Sequence, residues 1–134
     1  MMTLEQQIPL GRQVDVALEK LGGELKGMSA GTIVLQIRDD AVGRFGIRHL
    51  PVDCQDKEQG SKGLSTEQVL ELRRLAVQAL RHKSGWTHGE ISYDFVLKQG
   101  RVFVSVQFES NYNMANVLFR YSPKKRDRRD VSNE

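Results

Sequence analysis

The sequence predicts an α+β domain in the order αββ then αβββ, with a five-stranded antiparallel sheet and two helices packed on one of its faces. Three observations carry this. A capped helix runs from Ser65 to Lys83, an alternating hairpin follows from about Ile91 to Glu109, and a weaker version of the same helix-plus-hairpin pattern precedes both. The two halves echo each other too loosely in sequence to count as a repeat.

The central helix is signed at both ends. Ser65 is followed three residues on by Gln68, so the two can satisfy each other's free backbone N–H groups in a capping box, and Leu64 and Val69 stand where a hydrophobic staple would. Neither Gly nor Pro interrupts the run to Lys83; Arg81, His82 and Lys83 put positive charge at the negative end of the dipole, and Gly85 supplies the stop. The apolar positions Val69, Leu70, Leu72, Leu75, Ala76, Val77, Ala79 and Leu80 cover roughly 220° of the helix, wider than the stripe of an ordinary surface helix. Such a helix calls for cover on more than one side. Arg73 falls inside this arc, where it either snorkels to water or takes a buried carboxylate partner.

Beyond Trp86 the apolar period shortens from that of a helix to that of a strand. If Gln99 and Gly100 make a two-residue turn, Leu97 faces Val102, Phe95 faces Val104, Tyr93 faces Val106 and Ile91 faces Phe108, all on one side of the sheet. Slipping the pairing by one residue would scatter that set over both faces.

Upstream, Leu10, Val14, Ala17, Leu18 and Leu21 lie at helical spacing, with Gly22 and Gly23 ending the run and an irregular stretch following to Gly31. Ile33, Leu35 and Ile37 then alternate in a strand, Asp39 to Gly43 turns the chain, and Phe45 and Ile47 point inward from a returning strand that Pro51 closes. Asp53 to Gly63 reads as a polar loop. After a turn at Ser110 to Asn113, Val117, Phe119 and Tyr121 alternate and are expected to form the fifth strand. The domain is expected to span residues 1–122, followed by a charged, disordered tail over 123–134.

Composition narrows the class. At 39% hydrophobic and 28% charged residues the chain reads as soluble and globular, with no apolar run long enough to span a membrane. The first residues, with Glu5 and no basic block before an apolar one, do not read as a signal peptide, and the expected location is the cytoplasm. Cys54 is the only cysteine, which excludes an internal disulfide and a cysteine-based zinc knuckle. Of the net charge of +3, the run Lys124, Lys125, Arg126, Arg128 and Arg129, set against Asp127, Asp130 and Glu134, contributes most, so the body is nearly neutral. Nucleic-acid binding, if any, is expected through that tail alone.

Candidate chemistry is sparse. The same hairpin register places Glu90 opposite Glu109 on the far face of the sheet, one step from His88 opposite Asn111. Two facing carboxylates repel unless a proton or a cation lies between them, so Glu90, Glu109 and His88 form a candidate metal site or acid/base pair; the alternative is a solvated polar face. His82 is explained by the helix end and His49 by a strand end. No GxSxG elbow is present, no cofactor is expected, and Trp86, Tyr112 and Tyr121 read as packing residues. Leu75 on the wide helix arc and the outward pair Val96 and Phe103 are the candidate contact surface for another chain, either a partner protein or a second copy.

The strand pair ending in His49-Leu50-Pro51, the polar loop, the long helix, Trp86-Thr87, the hairpin with its Gly100 turn, Phe108-Glu109 and the closing Phe119-Arg120-Tyr121 together resemble the YezG-like family of bacterial toxin-immunity proteins over about residues 30 to 122. The resemblance implies a small cytoplasmic antitoxin that blocks a partner protein without catalysis of its own.

Overall fold

A computed structural model describes residues 8–51, 63–86 and 88–121. Most of the expected polar loop, with Cys54, and the charged tail from residue 123 onward lie outside the described residues. Four strands form one antiparallel sheet in the order β2-β1-β3-β4: β1 (Ala30–Arg38), β2 (Ala41–His49), β3 (His88–Lys98) and β4 (Arg101–Ser110). Helix α1 (Leu10–Lys20), a single further turn α2 (Gly22–Leu25) and helix α3 (Thr66–Ala79) accompany it, and α3 continues as a 3₁₀ turn over Leu80–His82.

The hairpin register is the one the alternation predicts. Leu97 pairs with Val102, Phe95 with Val104, Tyr93 with Val106 and Ile91 with Phe108, around a turn in which Gln99 and Gly100 have φ of 52° and 77°. The first hairpin closes the same way through Asp39 and Asp40, with φ of 54° and 62°. Its register shifts between Leu35 and Ile37, so that Gly43 and Arg44 together face Gln36 in a β-bulge.

The expected fifth strand is absent. The chain from Met114 to Tyr121 is instead a helix, α4. Its sequence alternates at Val117, Phe119 and Tyr121 but also carries Met114, Val117 and Leu118 at helical spacing. Asn113 decides between the two patterns: its Oδ1 accepts a hydrogen bond from the Ala115 N–H at 2.8 Å, capping a helix start. The stretch expected to be irregular after Gly23 likewise contains the turn α2, which buries Leu25.

Both long helices lie on the sheet face that carries Ile33, Leu35, Tyr93 and Phe95, where the core forms together with Val14, Leu18, Leu25, Leu72, Ala76 and Trp86. The Tyr93 hydroxyl donates to the Ala76 carbonyl at 2.8 Å, pinning α3 to the centre of the sheet. The capping box is formed as expected: the Ser65 hydroxyl accepts from the Gln68 N–H at 3.1 Å and the Gln68 amide oxygen from the Ser65 N–H at 2.8 Å. Gly89 has no room for a side chain, since a Cβ would press on the Glu109 carbonyl oxygen and the Trp86 ring.

The echo between the halves is geometric. Ile33 of β1 faces Tyr93 of β3 at the centre of the sheet, and a two-fold rotation there carries Leu35 onto Phe95 and Asp40 onto Gly100. Gln13 of α1 donates through its side-chain amide to the Asp40 carbonyl at 3.4 Å, and Gln68 of α3 donates to the Gly100 carbonyl at 3.1 Å. Each helix thus holds the turn of its own hairpin with a glutamine.

Candidate functional site

Among the described residues, the face of the sheet away from α1 and α3 is half-buried to exposed. Across it, Arg38 pairs with His88, Gln36 with Glu90, Val34 with Ser92 and Thr32 with Asp94 between β1 and β3, while Glu90 faces Glu109 and Val96 faces Phe103 between β3 and β4. The Thr32 hydroxyl donates to the Asp94 carboxylate at 2.6 Å, which satisfies that acid locally.

Glu90, Glu109 and His88 occupy the positions the register assigns them, yet their polar atoms do not converge. The Ser92 hydroxyl donates to the Glu90 carboxylate at 3.3 Å, drawing it along the strand in the direction away from His88. Glu109 is exposed on the edge strand. The His88 Nδ1 is buried without a partner among the described residues, although the Asn111 N–H does bond the His88 carbonyl at 3.0 Å and continues the ladder. Among the described residues no group of three or more His, Cys, Asp or Glu side chains comes together as a metal cage would require. His88 and Glu90, but not Glu109, line a groove of about 870 Å³ with Arg38, Arg44, Asn111 and Tyr112 on its walls. Its walls carry charges of both signs, Arg38 and Arg44 with Asp39 and Glu90.

His49 is held by Glu24, with Nε2 2.6 Å from the carboxylate. Arg73 takes the carboxylate partner. Its Nε donates to Asp15 Oδ1 at 2.8 Å and its Nη2 to Oδ2 at 3.1 Å, bridging α3 to α1 and covering one side of the wide apolar arc. The hydrogen bond from Arg73 holds the Asp15 carboxyl below its ordinary value, and the same bond raises the guanidinium.

Compared with protein-family models, curated proteins and solved structures, the chain matches none of them. Its geometry therefore has to carry the functional reading.

Among the described residues Val16, Phe45, Leu50 and Leu70 are exposed, Leu70 on the wide arc of α3, and two further places bear on a contact surface. Leu75 is half-buried and lines a shallow groove between α3 and the β4 edge together with Val104 and Val106. Phe103 stands 46% exposed on the outer face with the Arg101 guanidinium 5.6 Å from its ring centre, while Val96 beside it is half-buried. The second place was not foreseen from the sequence. Tyr112 is 86% exposed, Met114 67% and Leu118 56%, so α4 and the residue before its cap carry apolar side chains into solvent. Reading Tyr112 as a packing residue is thereby corrected, whereas Trp86 does pack, buried against Phe108 with ring centroids 5.8 Å apart. The available signal was Asn113 as a helix cap, which would have put Met114, Val117 and Leu118 on one stripe. No helix among the described residues is long and apolar enough to cross a membrane.

Proposed function

We propose that this chain is a small cytoplasmic protein-interaction domain without catalytic activity, of the immunity or antitoxin kind, and that α4 is its principal partner-binding element. The observation that supports it is the apolar stripe of Met114, Val117 and Leu118, which faces solvent beside the exposed Tyr112. A short helix presenting residues at i, i+3 and i+4 is what a helix-in-groove partner takes up, and aromatic and Met side chains dominate such contacts. The sequence runs from α4 directly into Lys124, Lys125, Arg126, Arg128 and Arg129. Charge complementarity therefore selects a partner whose apolar groove is rimmed by carboxylates, rather than a basic nuclease surface.

The test is to purify the chain with its partner from the native host, identify that partner, and titrate it against variants of α4. Leu118→Glu and Met114→Glu are expected to weaken binding about tenfold or more without lowering the melting temperature, since both side chains are already in water. A partner whose affinity ignores both substitutions would overturn the assignment to α4. A hydrolase or transferase activity of the purified chain would overturn the non-catalytic reading.

A further inference from the structure

The two edges of the sheet are built differently. On β2 the bulge at Gly43 and Arg44 bends the strand, and Arg44 and Arg48 stand exposed along it, which is how natural sheets discourage further pairing. β4 lacks the bulge and carries its exposed charges, Arg101 and Glu109, only near its two ends. It runs ten residues without a bulge or a proline, and its inward residues Val102, Val104, Val106 and Phe108 pack on the core yet stay half-buried because no strand lies beyond them among the described residues. The parity of its free groups is fixed. Since the Asn111 N–H bonds the His88 carbonyl, odd-numbered residues of β4 bond β3, and the even-numbered ones from Val102 to Phe108 turn their N–H and C=O to the open edge.

We infer that β4 pairs antiparallel with β4 of a second copy of this chain, across a two-fold axis at Ser105, to make one continuous eight-stranded sheet. Charge complementarity selects both the occupant and the register. With the axis at Ser105, Arg101 of each copy lies opposite Glu109 of the other, Phe103 opposite Gln107, Val102 opposite Phe108 and Val104 opposite Val106, so every apolar inward residue meets another. The even-numbered pairs then exchange the hydrogen bonds the edge offers. Moving the axis to Val104 sets Arg101 against Gln107, and moving it to Val106 sets Phe103 against Glu109; both lose the ion pairs. Neither Arg101 nor Glu109 engages an opposite charge among the described residues. Glu109 already faces the like charge of Glu90 within its own sheet, and the second copy's Arg101 arrives on its other side to offset that repulsion.

The helix layer extends in step. Strands lie about 4.8 Å apart and packed helices about 9–10 Å, so one helix covers two strands; α1 and α3 already divide four strands between them. Extending the sheet across β4 brings α3 beside its own copy at packing distance, and the shallow groove with Leu75 on its wall closes over Val104 and Val106. This contact uses β4 and α3 rather than α4, so it and the partner reading stand or fall separately.

Sedimentation equilibrium on the full chain, over micromolar to millimolar concentration, tests the dimer. Val106→Pro removes an N–H that points to the open edge and leaves the β3 ladder intact; the variant is expected to be folded and monomeric. Leu75→Glu is a second route to a monomer that does not alter the backbone. Arg101→Glu is expected to weaken the dimer about tenfold, and Arg101→Glu with Glu109→Arg to recover it, because the two-fold places two such pairs in the contact. In a Cys54→Ser background, Ser105→Cys is expected to oxidise to a linked dimer, since facing residues at a non-hydrogen-bonded position lie within disulfide reach. A strict monomer at millimolar concentration overturns the proposal. So does a dimer that survives both Val106→Pro and Leu75→Glu, and a charge reversal without recovery or a Ser105→Cys chain that stays unlinked overturns the register.

Discussion

Arg73 grips Asp15 with two parallel hydrogen bonds, and this fork is the polar clamp between the two long helices. Because the Asp15 carboxyl is held below its ordinary value of 3.8, the clamp contributes its stability above that value and loses it as pH falls through the lowered one. Asp15→Asn is expected to cost about 1 kcal/mol at pH 7, a modest figure because both side chains remain partly open to water. Urea denaturation of both proteins should show that difference shrinking as the pH is taken well below 3.8. A gap of undiminished size there would show that the pair acts by packing rather than charge.

Tyr93 gives the opposite pH signature. Burial pushes its phenol well above the ordinary 10.0, so the unfolded chain releases that proton before the folded one does. The stability it supports is intact below pH 10 and declines as pH rises beyond it, by up to about 1.4 kcal/mol per pH unit. Tyr93→Phe, which loses the hydrogen bond to the Ala76 carbonyl, is expected to lower stability by about 1 kcal/mol at pH 7 and to flatten the alkaline decline. Chemical denaturation at pH 8 and pH 11 compares the two slopes.

Gln68 serves two structures at once, the helix cap and the β3–β4 turn. Gln68→Ala is therefore expected to cost about 1–2 kcal/mol, while Gln78→Ala, an exposed position on the same helix, changes stability by less than about 0.5 kcal/mol. Equal losses at the two positions would refute the double role.

The two turns offer a matched pair of substitutions. Asp40 and Gly100 occupy corresponding places with φ of 62° and 77°, a region costly for a residue with a Cβ. Asp40→Gly is expected to stabilise by about 0.5–1 kcal/mol and Gly100→Ala to destabilise by about as much, as read from melting curves.

Local signals along the chain were enough to place α3, its capping box, the Gln99-Gly100 turn and the full register of β3 against β4, whereas the first turn, expected over Asp39 to Gly43, closes at Asp39 and Asp40. Each depends on neighbours a few residues apart: a Ser and a Gln that cap one another, or an alternation folded back on itself by Gln99-Gly100. The register in turn placed Glu90 opposite Glu109 and Val96 opposite Phe103. It could not aim side chains, so Glu90 turning to Ser92 rather than to His88 was out of reach. The segment from Met114 to Tyr121 satisfies strand and helix periods together, and the Asn113 cap tips it to the helix.

Tertiary structure alone decided the rest. Nothing local says that β1 joins β3, because that pairing unites segments some sixty residues apart through a shared apolar face. The choice of Asp15 as the partner of Arg73 has the same origin, since it depends on how α1 crosses α3. So does the contrast, among the described residues, between a blunted β2 edge and an open β4 edge, which exists only after the strand order has been set: an edge is defined by what fails to lie beside it, and a sequence records only what lies next along the chain.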